Sequence, residues 1–125
     1  MQVRDWIHVD DHSAGVDLIL QKGKMGETYC LGGDSEKTNL EITYKILELM
    51  DKDENFIEYV KDRPGHDLRY AIDYSKIKNE LGWEPQHKLE DAMQKTVAWY
   101  LDNEDWIDSV KSGEYMQYYN RQYGE

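Results

Sequence analysis

Asp62-Arg63-Pro64-Gly65-His66-Asp67-Leu68-Arg69-Tyr70 brings the chain to its surface near mid-length. Two arginines, a histidine and two aspartates flank a Pro-Gly break. Buried charges need partners or they oppose folding, so this segment reads as a surface loop. Pro64 has no backbone N–H and pushes Arg63 towards an extended conformation. Gly65 lets the backbone turn or approach a ligand closely. A stiff backbone carrying guanidinium forks suits an anion with paired oxygens, such as a phosphate. A polar turn between strand and helix has the same composition, and the loop alone leaves both readings open.

What surrounds the loop narrows the choice. The chain has 125 residues, which fits one domain with a modest core burying somewhat over ~60% of its unfolded surface. A net charge of −11 argues against general nucleic-acid binding and makes positive charge scarce. Cys30 is the only cysteine, so no intrachain disulfide forms and no cysteine cluster holds zinc. No apolar run approaches the ~18 residues of a membrane span. The sequence reading is a cytoplasmic protein without membrane or nucleic-acid partners.

Along the chain, Val3, Asp5, Ile7 and Val9 alternate with Arg4, Trp6 and His8, which predicts a short extended segment. Asp10 or Asp11 caps a helix to about Gln21, with Ala14, Val16, Leu18, Ile19 and Leu20 as its apolar surface and Gly23 as its stop. Glu27 to Leu31 reads as a strand, with Cys30 a buried structural thiol, and Asp34 to Asn39 as a polar loop. Thr38 or Asn39 caps a helix from Leu40 to Met50. Phe56 to Val60 reads as a strand leading to the charged loop. Helices are expected over Ser75 to Leu81, ended by Gly82, and from Leu89 to Leu101. Leu89, Met93, Thr96, Val97, Tyr100 and Leu101 form the buried stripe of the latter. The aromatic tail from Trp106 to Tyr123 reads as helical in pieces. The fold class is α+β, helix-rich with a few short strands. A Rossmann domain would need more parallel strands and a Gly-rich first turn.

Few motifs carry chemistry. His8-Val9-Asp10-Asp11-His12 holds two histidines and two aspartates, but matches no ligand spacing. The two aspartates are assigned to the helix N-terminus, and no metal site is expected. Tyr74-Ser75-Lys76-Ile77-Lys78 fits the Tyr-x-x-x-Lys pattern of short-chain dehydrogenases, yet no dinucleotide loop precedes it. It is read as coincidence. Gly32-Gly33 precedes a helix, so that loop can approach a ligand, but it is neither G-x-G-x-x-G nor a P-loop. Arg4, Asn39, Arg63, His66 and Arg69 lie at expected strand ends and helix starts, where neighbouring strands bring them to one edge. Two arginines there would neutralise a diphosphate, with Asn39 and His66 bonding phosphate or sugar hydroxyls.

A family resemblance gives these residues a context. Arg4-Asp5-Trp6-Ile7-His8-Val9-Asp10-Asp11-His12, Gly26 to Gly33, Glu36 to Leu40, Asp62 to Asp73, Glu80-Leu81-Gly82-Trp83-Glu84-Pro85 and Lys95 to Tyr100 follow in order. Together they resemble the C-terminal, substrate-binding part of the dTDP-glucose 4,6-dehydratases, extended short-chain dehydrogenase/reductases. Asp62-Arg63-Pro64-Gly65-His66-Asp67-Leu68-Arg69-Tyr70 is the discriminating piece, and Val110 to Tyr115 fits the same members.

The resemblance implies an NAD-dependent lyase as the parent enzyme, converting dTDP-glucose to dTDP-4-keto-6-deoxyglucose and water. It implies that Arg4, Asn39, Asp62, Arg63, Pro64, Gly65 and His66 contact the dTDP-sugar. The family's catalytic residues and Gly-rich NAD loop belong to its N-terminal part and have no counterpart here. Residues 1–125 would then be one nucleotide-sugar-binding portion without a complete dinucleotide-binding domain. It is incomplete for catalysis alone, binds no NAD by itself, and is partnered by a Rossmann half or a second copy in a homodimer. The rival expectations are a non-catalytic nucleoside-diphosphate-sugar-binding fragment and part of another nucleotide-sugar epimerase or decarboxylase.

Overall fold

A computed structural model describes residues 2–61, 64–113, 117 and 121. Strand β1 (Val3–Asp5) lies between two neighbours. On one side it pairs antiparallel with β2 (Glu36–Thr38), in the register Val3↔Thr38, Arg4↔Lys37 and Asp5↔Glu36. On the other it meets the charged loop. Val3 N–H donates to the Leu68 carbonyl at 2.8 Å and Tyr70 N–H to the Val3 carbonyl at 3.1 Å, a parallel bridge at Arg69.

The β1–β2 register sets Arg4 against Lys37 and Asp5 against Glu36, like charges directly opposite, which weakens a ladder. Each charge is met from elsewhere. Arg4 turns to the loop, Asp5 receives two backbone N–H groups, Glu36 binds Arg69 and Lys37 reaches Glu41.

Among the described residues there are five α-helices, and the first four lie near their expected positions with local differences. Helix α1 spans Val9–Lys22, and its cap is His8 rather than Asp10 or Asp11: the His8 Nδ1 accepts from Asp10 N–H. Its buried residues are Asp11 and Gly15, whereas Val16 and Leu20 are exposed. A β-carbon on Gly15 would sit 2.6 Å from Leu31 Cδ2, so a larger residue would push that contact apart. Helix α2 (Asn39–Leu49) opens with a reciprocal capping box between Thr38 and Glu41. Helix α3 spans Ser75–Leu81 and ends at Gly82, whose left-handed φ of 75° favours a residue without a β-carbon. Helix α4 is Leu89–Asp102 and α5 is Glu104–Lys111. In α4 the buried residue is Ala92; Thr96, Tyr100 and Leu101, expected in the stripe, are exposed.

Two expected strands are not formed. Glu27 to Leu31 has no ladder; it is tied to α3 by side chains. Lys76 Nζ bonds Glu27 at 2.7 Å and the Thr28 carbonyl at 2.8 Å, and the Tyr29 hydroxyl donates to Glu80. Cys30 is exposed there, not buried. At Phe56 to Val60, Asp53 caps a single 3-10 turn over Glu54–Phe56, and Phe56, Tyr59 and Val60 are exposed. Alternating apolar residues report a preference for burial; a strand also needs a neighbour to complete its hydrogen bonds. The polar Asp34 to Asn39 loop instead contains β2, because β1 lies beside it.

The chain divides into two compact units, residues 1–94 and 95–125. In the first, Ile42, Ile77, Trp83 and Ala92 are the buried apolar residues among those described, and the Trp83 indole donates to the Asp11 carbonyl at 3.1 Å. In the second, Trp99 meets Tyr100 and Trp106 edge-on, with centroids 5.2 and 5.3 Å away. No helix of the described residues is long and apolar enough to cross a membrane.

Candidate functional site

Arg4 and His66 lie 62 positions apart in the chain and meet at 2.9 Å, guanidinium Nη2 to imidazole Nε2. An arginine only donates, so Nε2 accepts and the neutral ring carries its proton on Nδ1. The same Nη2 donates to the Asp67 carbonyl at 3.0 Å, and Nη1 to the Val3 carbonyl at 2.7 Å. The guanidinium carbon sits 4.6 Å from the centre of the Tyr70 ring, a cation–π contact. The Tyr70 hydroxyl donates to the Asp67 carboxylate, which closes the loop on itself. These contacts position the loop beside β1 and hold the long arginine side chain in place.

Pro64 and Gly65 form an exposed turn, with Gly65 at a φ of 72° that favours glycine. Asn39 is exposed at the first position of α2, and its N–H donates to the Gln2 carbonyl at 3.1 Å, continuing the ladder beyond β1. Asp62 and Arg63 lie outside the described residues. Arg69 departs from its expected role: its guanidinium makes two 2.7 Å bonds to Glu36, which hold its pKa above the usual arginine value. That positive charge is committed to fixing the loop against β2.

Gly32-Gly33 is no anion seat. Gly33 N–H and Ser35 N–H donate to the two oxygens of Asp5 at 3.1 and 2.9 Å, so a carboxylate of the chain already fills the turn. A β-carbon on Gly33 would collide with the Trp6 carbonyl oxygen, which explains the glycine there. Tyr74 and Lys78 do not form a dyad either. Tyr74 caps α3 with its ring edge-on to Trp83, and Lys78 pairs with Glu84 at 2.5 Å.

Sequence reasoning missed Tyr70 and the Glu36–Arg69 clasp. Tyr70 was legible as the aromatic end of the charged loop, three residues from the aspartate it bonds. Glu36 carried no local signal, since its partner lies 33 positions away. Chemically, the arrangement offers a fixed guanidinium, an imidazole and an exposed amide near one end of β1. It suits an anionic ligand with several oxygens and a polar neighbour.

Comparison with known proteins gives one consistent picture. A family model described as GDP-mannose 4,6 dehydratase matches residues 1–96. A dTDP-glucose 4,6-dehydratase of Escherichia coli is 46% identical over 129 aligned positions, covering 98% of this chain and 36% of that protein. One from Xanthomonas campestris pv. campestris is 48% identical over 123 positions, covering 91% and 35%. The crystal structure of dTDP-glucose 4,6-dehydratase from Bacillus anthracis in complex with NAD superposes with a TM-score of 0.79 at 50% identity, covering 85% of this chain and 33% of that one. The enzyme from Streptomyces venezuelae, solved with NAD and dTDP bound, gives 0.80 at 45%, covering 84% and 33%. The chain therefore spans about a third of the length of the curated relatives it matches.

Proposed function

The chain belongs to the GDP-mannose 4,6 dehydratase family, and from that premise we propose that it is the nucleotide-sugar-binding part of a dTDP-glucose 4,6-dehydratase. The parent reaction is dTDP-glucose to dTDP-4-keto-6-deoxyglucose and water. The observation that carries this reading is the convergence of Arg4 and His66 at 2.9 Å on the edge of β1. Arg4 and Arg63 neutralise the diphosphate, with Asp62, Pro64 and Gly65 contacting the same handle. His66 and Asn39 bond its oxygens or the sugar hydroxyls. Tyr70 and the Glu36–Arg69 clasp hold the loop ready, so less ordering is required when the ligand binds.

The parent chemistry needs NAD to accept and return a hydride. The residues here do not fit that cofactor. The sequence has no G-x-G-x-x-G, and the N–H groups of the Gly33 turn are spent on Asp5. The residues of this chain hold the substrate's nucleotide-diphosphate handle. Residues 1–125 act as one substrate-binding portion, completed by a nucleotide-binding half or a second copy.

A binding module without turnover is the second reading, favoured by a site whose placed side chains, Arg4 and His66, suit holding an anion rather than moving a hydride. Mixing the chain with the remaining N-terminal portion of the E. coli relative, NAD and dTDP-glucose separates the two. The expected result is formation of the 4-keto sugar. No product from co-eluting pieces, while the chain alone binds dTDP, would leave the binding module standing.

A further inference from the structure

The turn before α1 and the turn before α4 bring two imidazoles together. His8 and His87 stack with centroids 4.3 Å apart and planes at 27°. Both side chains are largely covered, at 7% and 20% exposure. Asp10 places a carboxylate oxygen 3.7 Å from His8 Nδ1. One ligand atom from each of His8, Asp10 and His87 lies within 4.8 Å of the others.

A second observation concerns the orientation of His87. Its Nδ1 is 2.9 Å from Asp11 Oδ1, and its backbone N–H donates to Asp11 Oδ2 at the same distance. Asp11 is buried, and an ionised carboxylate only accepts, so Nδ1 carries the proton and the Nε2 lone pair is left available. A carboxylate behind an imidazole is the arrangement that orients metal-binding histidines. We propose that His8, Asp10 and His87 form a site for a divalent transition-metal ion of the zinc class, with Asp11 as its positioning carboxylate.

The donor set decides the class. Two imidazoles and one carboxylate suit zinc, nickel or copper, whereas calcium and magnesium prefer oxygen ligands throughout. Three protein ligands leave a fourth tetrahedral position for water. Zinc–nitrogen bonds of about 2.0–2.1 Å place neighbouring ligands roughly 3.3 Å apart, so the three groups, now within 4.8 Å of one another, must close up by as much as about 1.5 Å. Asp10, 75% exposed, is free to swing inward. His8 Nδ1 now accepts a long 3.2 Å bond from Asp10 N–H, and coordination replaces that cap. The positive end of α1 disfavours a cation, and the charges of Asp10 and Asp11 oppose that effect. The sequence alone points away from this site because His12, in the local motif, takes no part, and His87 is remote.

The test titrates the tag-free, metal-stripped chain with Zn2+ by calorimetry and with Co2+ by visible absorption. One equivalent should bind at micromolar concentration, with the cobalt bands of a four-coordinate site. His87→Ala and Asp10→Asn should each weaken binding by roughly tenfold or more, and Asp11→Asn by about 10- to 100-fold. His12→Ala should leave it unchanged. Asp10→Asn alters an exposed side chain, so its circular dichroism should match the parent and keep the test decisive if the His87 variant unfolds. Absence of saturable uptake at micromolar metal, or uptake unchanged in Asp10→Asn, would overturn the proposal.

Discussion

Arg4 faces Lys37 across the ladder and turns instead to His66, the Asp67 carbonyl and the face of Tyr70. If it also grips a diphosphate, Arg4→Ala should weaken dTDP binding by about 1.5–3 kcal/mol, the range for a hydrogen bond to a charged group, or roughly 10- to 150-fold in Kd. Arg63→Ala should fall in the same range. Arg4→Lys keeps the charge but loses the planar fork, so it should fall between parent and Ala. Fluorescence or calorimetric titration measures all three, and unchanged affinity in both alanine variants would refute the site. Arg4 and His66 stood out in the sequence because positive charge is scarce in a chain of net −11, and the fold brings the two side chains together. The partner of Arg69 was not legible, because charge alone does not reveal one and Glu36 lies far off in sequence.

The start of α2 is fixed by a reciprocal capping box. The Glu41 carboxylate accepts from Thr38 N–H and from the Thr38 hydroxyl, each at 2.8 Å, while Thr38 Oγ1 accepts from Glu41 N–H. The backbone bond first, then the hydroxyl, hold the Glu41 carboxyl below the usual range, with Lys37 adding to them. A depressed folded pKa contributes stability above the unfolded value of about 4.3 and loses it as pH falls through the folded one. Urea unfolding should therefore separate the parent from Glu41→Ala near pH 7, and the gap should narrow near pH 3. A gap that persists in acid would contradict the cap's ionic character. The start of α2 and the stop of α3 were legible because caps and breakers act over three or four residues, whereas the cap of α1 proved to be His8 and not Asp10 or Asp11. The strands were not legible that way. Glu27 to Leu31 has the right residues but is bound by Lys76 and Glu80 side chains, whereas polar β2 becomes a strand only because β1 lies beside it.

At the scale of the molecule, the first unit buries few apolar side chains, and Leu20, Met25, Phe56, Tyr59, Val60 and Leu68 stay exposed. The sequence led to a modest core because composition counts apolar residues without saying what covers them. Coverage of about a third of each relative agrees with a chain that resembles one part of a larger enzyme. The central claim is that this part holds the nucleotide-diphosphate handle of a dTDP-sugar. Calorimetric titration of the chain with dTDP, GDP and UDP tests it most directly. The expected result is saturable binding with dTDP tightest and a marked loss in Arg4→Ala; no dTDP binding, or a preference for GDP, would contradict it.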